Sequence, residues 1–176
     1  MKAEDKFTIT KTTVECYKIR HLSGMWSDIT IDAKEETGRI QIASDYGEWQ
    51  FYWGSCGMPF KKFLASLDKH YVAGKFGASR WFDSIKTVAE YRAVIKENVK
   101  DGYLTKQKGI KALAELQCLE ESSCKEEFCS NLSNDCDEIM KLYDHCPSLV
   151  YGIDPSFENF WTKLWPVFIN ELTINK

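Results

Sequence analysis

Gly54-Ser55-Cys56-Gly57 is the segment whose residue types come nearest to doing chemistry. It follows the aromatic run Trp49-Gln50-Phe51-Tyr52-Trp53 and precedes a helical pattern. Free amides and the helix dipole at such a junction attract anions, the principle behind phosphate loops. A phosphate loop needs Gly-x-x-x-x-Gly-Lys-Ser/Thr, however, and a dinucleotide loop needs Gly-x-Gly-x-x-Gly inside a β-α-β unit. Neither is present. The plainer role of the two glycines is a tight turn that lets Trp53 approach the core. Cys56 sits near the same helix start, a place that lowers a thiol pKa. A thiolate nucleophile also wants a histidine and an orienting partner. His21, His70 and His145 are the only histidines, and none lies in a recognisable motif. Gly54, Ser55, Cys56 and Gly57 therefore stand as a candidate anion-binding turn, and no catalytic residue is assigned.

Other clusters carry weaker signals. Asp28, Asp32, Asp45 and Glu48 place carboxylates around strand ends, where acid/base work or a divalent metal is conceivable but solvation explains them. Asp28 and Asp32 share one strand face, with Asp32 expected to fall in a turn. Five of the seven cysteines, Cys118, Cys124, Cys129, Cys136 and Cys146, lie in the C-terminal half, with His145 beside the last. Structural zinc prefers ligand pairs two to four residues apart, whereas these gaps are five, four, six and nine residues. The odd count and absent Cys-x-x-Cys read as reduced thiols packed as small hydrophobes, with no metal and no cofactor expected. Lys96, Lys100, Lys106, Lys108 and Lys111 gather at a helix–helix junction. A helix-turn-helix on DNA would use such a cluster, but a pI near 5.7 and a single nearby arginine, Arg92, favour a solvated elbow. Glu115, Glu120, Glu121, Glu126, Glu127, Asp135, Asp137 and Glu138 form an acidic stretch able to imitate a phosphate array and compete for a basic groove.

The elements that must position these residues divide the chain in two styles. With 176 residues, 44% of them hydrophobic, the chain reads as one domain with an ordinary core. Residues 1–57 alternate with period two: Phe7 and Ile9, then Val14 to Ile19, Ile29 and Ile31, Ile40 and Ile42, and Trp49, Phe51 and Trp53. Lys34-Glu35-Glu36-Thr37-Gly38 reads as a hairpin loop, with Gly38 available for positive φ. Short connections predict an antiparallel meander of three or four strands. From residue 58 the period becomes 3.6, predicting four to five helices. The first carries Phe60, Phe63, Leu64 and Leu67. The second runs from about Arg80 to Lys100 with Trp81, Ile85, Val88, Ile95 and Val99 inward, and the third is capped by Thr105. A short helix is expected over 135–143. The last opens on Asp154-Pro155 and carries Phe157, Phe160, Trp161, Leu164, Trp165, Phe168, Ile169 and Leu172 on one face, with Pro166 set to kink or split it. That stripe is expected to cover the sheet.

Charge is asymmetric beneath a net of −3: residues 1–113 carry 19 Lys/Arg against 14 Asp/Glu, and residues 114–176 carry 4 against 12. Such a field steers encounters more than it sets affinity. No apolar run approaches the length of a membrane helix, and Met1-Lys2-Ala3-Glu4-Asp5-Lys6 lacks a signal-peptide core, so a cytoplasmic location is expected.

Tyr46-Gly47-x-Trp49-x-x-Tyr52-Trp53-Gly54-x-x-Gly57, followed by Phe60-x-x-Phe63-Leu64, Asp68-Lys69-His70-Tyr71 and Lys75-Phe76, resembles a group of small uncharacterised phage and prophage proteins. The terminal phrase Phe160-Trp161-x-x-Leu164-Trp165-Pro166-x-Phe168 is similar to the close of such proteins. The resemblance covers residues 28–76 and 157–172. It implies a mobile-element origin, where accessory proteins often disarm host defence by binding it, and it transfers no reaction.

The resulting expectation is a single α+β domain over 1–176, with a sheet-forming part at 1–57 and a helical part at 58–176. Its function is read as a non-enzymatic phage accessory protein, resident in the host cytoplasm and acting by protein–protein binding on a host protein or protein–nucleic-acid complex, as an anti-CRISPR-like inhibitor. The acidic stretch supplies steering charge, and Trp26 and Tyr52 supply aromatic anchors. No membrane and no direct nucleic-acid contact are expected, while self-association stays open. The alternatives are an enzyme using the Gly54–Gly57 turn and a small DNA-binding protein using Lys96–Lys111.

Overall fold

A computed structural model of the protein describes residues 7–122, 124–143 and 147–174. The described chain forms two compact units, one of residues up to Ser79 and from Ile153 on, the other Arg80–Gly152. The architecture is α+β: an N-terminal four-stranded antiparallel sheet followed by helices.

In the first unit the strands are β1 (Glu15–Arg20), β2 (Trp26–Lys34), β3 (Thr37–Ser44) and β4 (Gly47–Trp53), paired in chain order. Phe7 and Ile9 were read as strand residues. They lie outside any strand at 89% and 96% exposure, and the sheet begins only at Glu15. The β2–β3 turn is tighter than the loop read from sequence. Only Glu35 and Glu36 are unpaired, Glu35 takes the positive φ of 53°, and Asp32 stays inside β2 opposite Arg39. Gly38 is instead required by close approach, since a Cβ there would stand 2.5 Å from the Phe60 ring.

Two short helices, α1 (Phe60–Ser66) and α2 (Lys69–Lys75), follow the sheet, and α7 (Pro155–Lys163) and α8 (Trp165–Ile174) close the chain. Asp68 caps α2 and Asp154 caps α7, with Pro155 at its first position. The terminal stripe splits at Leu164, because Pro166 offers no amide to the ladder of a continuous helix. Both halves bury the same face: Phe157, Phe160, Leu164, Trp165, Phe168 and Leu172 join Ile29, Ile31, Ile40, Ile42 and Trp53 in one core. Trp49 meets Phe157 and Phe160 with ring centroids 5.4 and 5.1 Å apart, and Tyr17 meets Phe168 at 5.4 Å. The stripe thus seals one face of the sheet, as its spacing predicts.

The second unit holds α3 (Ser84–Lys100), α4 (Lys106–Glu120), α5 (Lys125–Asp135), α6 (Asp137–Met140), and a two-residue pairing of β5 (Trp81–Phe82) with β6 (Tyr151–Gly152). The helix expected from Arg80 starts later, at Ser84, because Asp83 caps it by accepting the Lys86 amide. Trp81 is therefore a strand residue, and Ile85 is 81% exposed rather than inward. Val88, Tyr91, Ile95, Ala112, Leu116, Leu119, Phe128 and Leu132 make a separate core. Thr105 caps α4 through the Lys108 amide, as the sequence predicts. Among the described residues no helix is long and apolar enough to cross a membrane.

Candidate functional site

Strand alternation leaves the second face of the sheet uncovered. Cross-strand register lays its residues in rows: Arg20 against Trp26; Lys18, Asp28, Ala43 and Glu48; Cys16, Thr30, Gln41 and Gln50; Asp32, Arg39 and Tyr52. All of these are exposed or half-buried. A shallow groove of about 510 Å³ runs over Thr30 and Ala43 between Asp28, Gln41, Glu48 and Gln50.

Both aromatic residues singled out from the sequence stand on this face, in its first and last rows, and each has an arginine across the strand gap. The Arg20 guanidinium lies 5.5 Å from the Trp26 ring centre and forms an ion pair with the Asp28 carboxylate at 2.6 Å. That pairing holds the Asp28 carboxyl below its ordinary range. The Trp26 amide donates to the Asp45 carboxylate at 2.9 Å, which anchors the strand end. Tyr52 is 55% exposed and directly opposite Arg39. Gln41 donates to Gln50 at 3.3 Å across the groove floor. Sequence reasoning passed over Arg20 and Arg39. Their signal was present in the polar phase of β1 and β3, but only the register shows that each stands opposite an aromatic.

The acidic stretch is largely occupied within its own unit. The Glu115 carboxylate accepts the backbone amides of Glu138 (3.0 Å) and Ile139 (3.0 Å), capping α6 in place of a local side chain. Glu138 is nearly buried between Lys141 at 3.2 Å and Lys111 at 3.4 Å, and the Lys141 hydrogen bond keeps its carboxyl below the usual range. Glu120 pairs with Arg92, and Glu121 accepts from Gln117 at 3.3 Å. Glu126 and Glu127 occupy the first turn of α5, and Asp137 with Glu138 that of α6, where the helix dipole favours them. Glu121, Glu126, Asp135 and Asp137 face solvent.

At the Gly54–Gly57 turn the Cys56 amide is engaged, as is that of Phe60 at the start of the following helix. Cys56 donates to the Glu36 carbonyl and Phe60 to the Glu35 carbonyl, both at 2.9 Å. Gly57 takes φ +67°, and α1 begins three residues after it rather than at once. Burial and the Glu36 charge push the Cys56 thiol up, opposite to activation. An open hollow beside Ser55 is lined by Lys34, Glu35 and Glu36, a rim with net negative charge that disfavours an anion. Of the clustered cysteines, Cys118 and Cys136 come together with sulfurs 3.6 Å apart. Cys146 and His145 lie outside the described residues. Among the described residues no three His, Cys, Asp or Glu side chains converge as a metal site would require.

An antiparallel meander sealed on one face and bare and polar on the other makes this an α+β protein whose accessible chemistry lies on a surface. The chain belongs to a phage family (Phage_phiTE_072), whose model it matches over residues 7–174. That match extends the phage resemblance from two stretches to nearly the whole sequence. No curated protein and no solved structure matches it.

Proposed function

We propose that this phage protein is an accessory protein that acts by protein–protein binding, as an anti-CRISPR-like inhibitor of a host complex that handles nucleic acid. One observation carries the reading: Trp26 and Tyr52 share the uncovered sheet face, each beside an arginine, with a polar groove between the rows. Trp, Tyr and Arg are the residue types that dominate binding energy at protein interfaces. The occupant is a host protein with a basic nucleic-acid groove, because the exposed carboxylates Glu121, Glu126, Asp135 and Asp137 draw a basic surface by long-range attraction. These carboxylates set encounter rate, and the aromatic face sets residence time.

The test begins with capture of the partner from host extract, followed by binding kinetics with that purified partner. Trp26→Ala and Tyr52→Ala are each expected to weaken the complex at least about tenfold, mainly through faster dissociation. Reversing Glu121, Glu126, Asp135 and Asp137 to Lys is expected to slow association several-fold and flatten its salt dependence. A captured partner whose affinity is indifferent to both sheet-face variants overturns the proposal.

A further inference from the structure

The elbow between α3 and α4 carries charge that the fold does not use. Lys96 and Lys100 lie one turn apart on the last part of α3, and Lys106 and Lys108 stand in the first turn of α4. None of these four makes an ion pair among the described residues, whereas Lys111, a turn further on, is drawn to Glu138. The two helices meet tightly beside the elbow. Gly109 of α4 lies so close to Val99 of α3 that a Cβ would overlap a Val99 methyl carbon. This approach brings the two lysine pairs to one end of the hairpin, against their mutual repulsion.

The placement is unfavourable in a second way. The α4 dipole puts partial positive charge at its N-terminus, where Lys106 and Lys108 sit, and partial negative charge at its C-terminus, where Glu120 and Glu121 sit. A helix chosen for stability alone carries the opposite order. Glu97 and Asp101 share the elbow and offset half of the four charges. Tyr103 projects from the turn at 84% exposure, held by the Gly102 φ of +80° and by the Leu104 amide donating to the Asn98 carbonyl. An exposed aromatic ring in the turn between two helix ends that carry unpaired lysines suits a single-stranded nucleic acid, with phosphates on the ammonium groups and a base stacked on the ring.

We propose that the α3–α4 elbow binds single-stranded nucleic acid through Lys96, Lys100, Lys106 and Lys108, with Tyr103 as its stacking face. The site is independent of the sheet-face reading, because it is measured on the protein alone without a host partner. Fluorescence anisotropy with a labelled single strand, its duplex, and vesicles rich in anionic lipid decides it.

The single strand is expected to bind, with log K falling against log salt by about 0.7 per lysine engaged. Lys96→Gln with Lys100→Gln should lower that slope by about 1.4, and neutralising all four should abolish binding. The four-fold variant should melt no lower than the parent, since removing Lys106 and Lys108 relieves the dipole clash. Tyr103→Ala should weaken the single strand several-fold and leave residual duplex binding unchanged. Overturning results are failure of the parent to bind at low salt, an unchanged slope in the four-fold variant, or its marked destabilisation. Preference for duplex or for vesicles, or indifference to Tyr103→Ala, also overturns the assignment.

Discussion

Ile29, Ile40, Ile42 and Trp53 on one face of the sheet and Asp28, Arg39, Gln41 and Tyr52 on the other are neighbours in sequence and opposites in environment. The first set is sealed by α7 and α8 and packed ring against ring. Each member is held by several others, so its identity answers to volume and shape. The second set is arranged in rows whose contacts are single hydrogen bonds and one ion pair. Exposed contacts of that kind contribute little to stability. Residues on the open face are therefore free to be chosen for what they meet outside the molecule. The contrast predicts that truncation on one face unfolds the protein and truncation on the other only disarms it.

Phe160→Ala tests the sealed face and should have the largest effect. The ring is fully buried between Trp49, Phe157 and Trp165. Its removal leaves a cavity with few ways to collapse, and urea denaturation should show a loss of about 3–5 kcal/mol. A loss below about 1 kcal/mol would mean that the helical cover is not what closes the sheet.

What could be read from sequence follows the same division. Period-two alternation placed Ile29, Ile31, Ile40, Ile42, Trp49 and Trp53 on one face, and the 3.6-residue stripe from Phe157 to Leu172 named its cover. Both signals are local and repeated, so they survive without knowledge of pairing. Asp154-Pro155 and Thr105 were legible as helix starts for the same reason. The acidic stretch was harder, because its use depends on long-range contacts. Glu115 caps a helix 23 residues away, and no spacing rule links it to Glu138 and Ile139. The Gly54–Gly57 turn was misleading in another respect. The carbonyl that takes up its Cys56 amide belongs to the β2–β3 turn, and only the folded hairpin brings Glu36 against it. Trp26 and Tyr52 could be picked as anchors by type, while the arginines beside them required the strand register.

A smaller effect is expected where the open face carries its one ion pair. Arg20 holds the Asp28 carboxyl below its unfolded value, so the pair stabilises the fold above the ordinary carboxylate range. That contribution fades as pH falls through the depressed value. Arg20→Ala should move the Asp28 titration, followed by carboxyl-carbon NMR, up toward the usual aspartate range. The stability difference between parent and variant should be present at neutral pH and vanish in acid. An unmoved titration would show that the guanidinium serves the Trp26 ring alone.

The smallest structural effect belongs to Tyr52→Ala, and for that reason it separates the two faces most cleanly. Tyr52 lies on the edge strand β4 with more than half its surface in water, while its neighbours Phe51 and Trp53 point inward and hold the strand. The ring stands opposite Arg39 on the exposed face and seals nothing, so its removal should change the unfolding free energy by no more than about 0.5 kcal/mol. A larger loss would place Tyr52 among the residues the fold needs and strip the open face of its freedom. An unchanged stability alongside lost partner binding makes the ring an anchor in its own right, because such a pairing of results cannot arise from a damaged sheet.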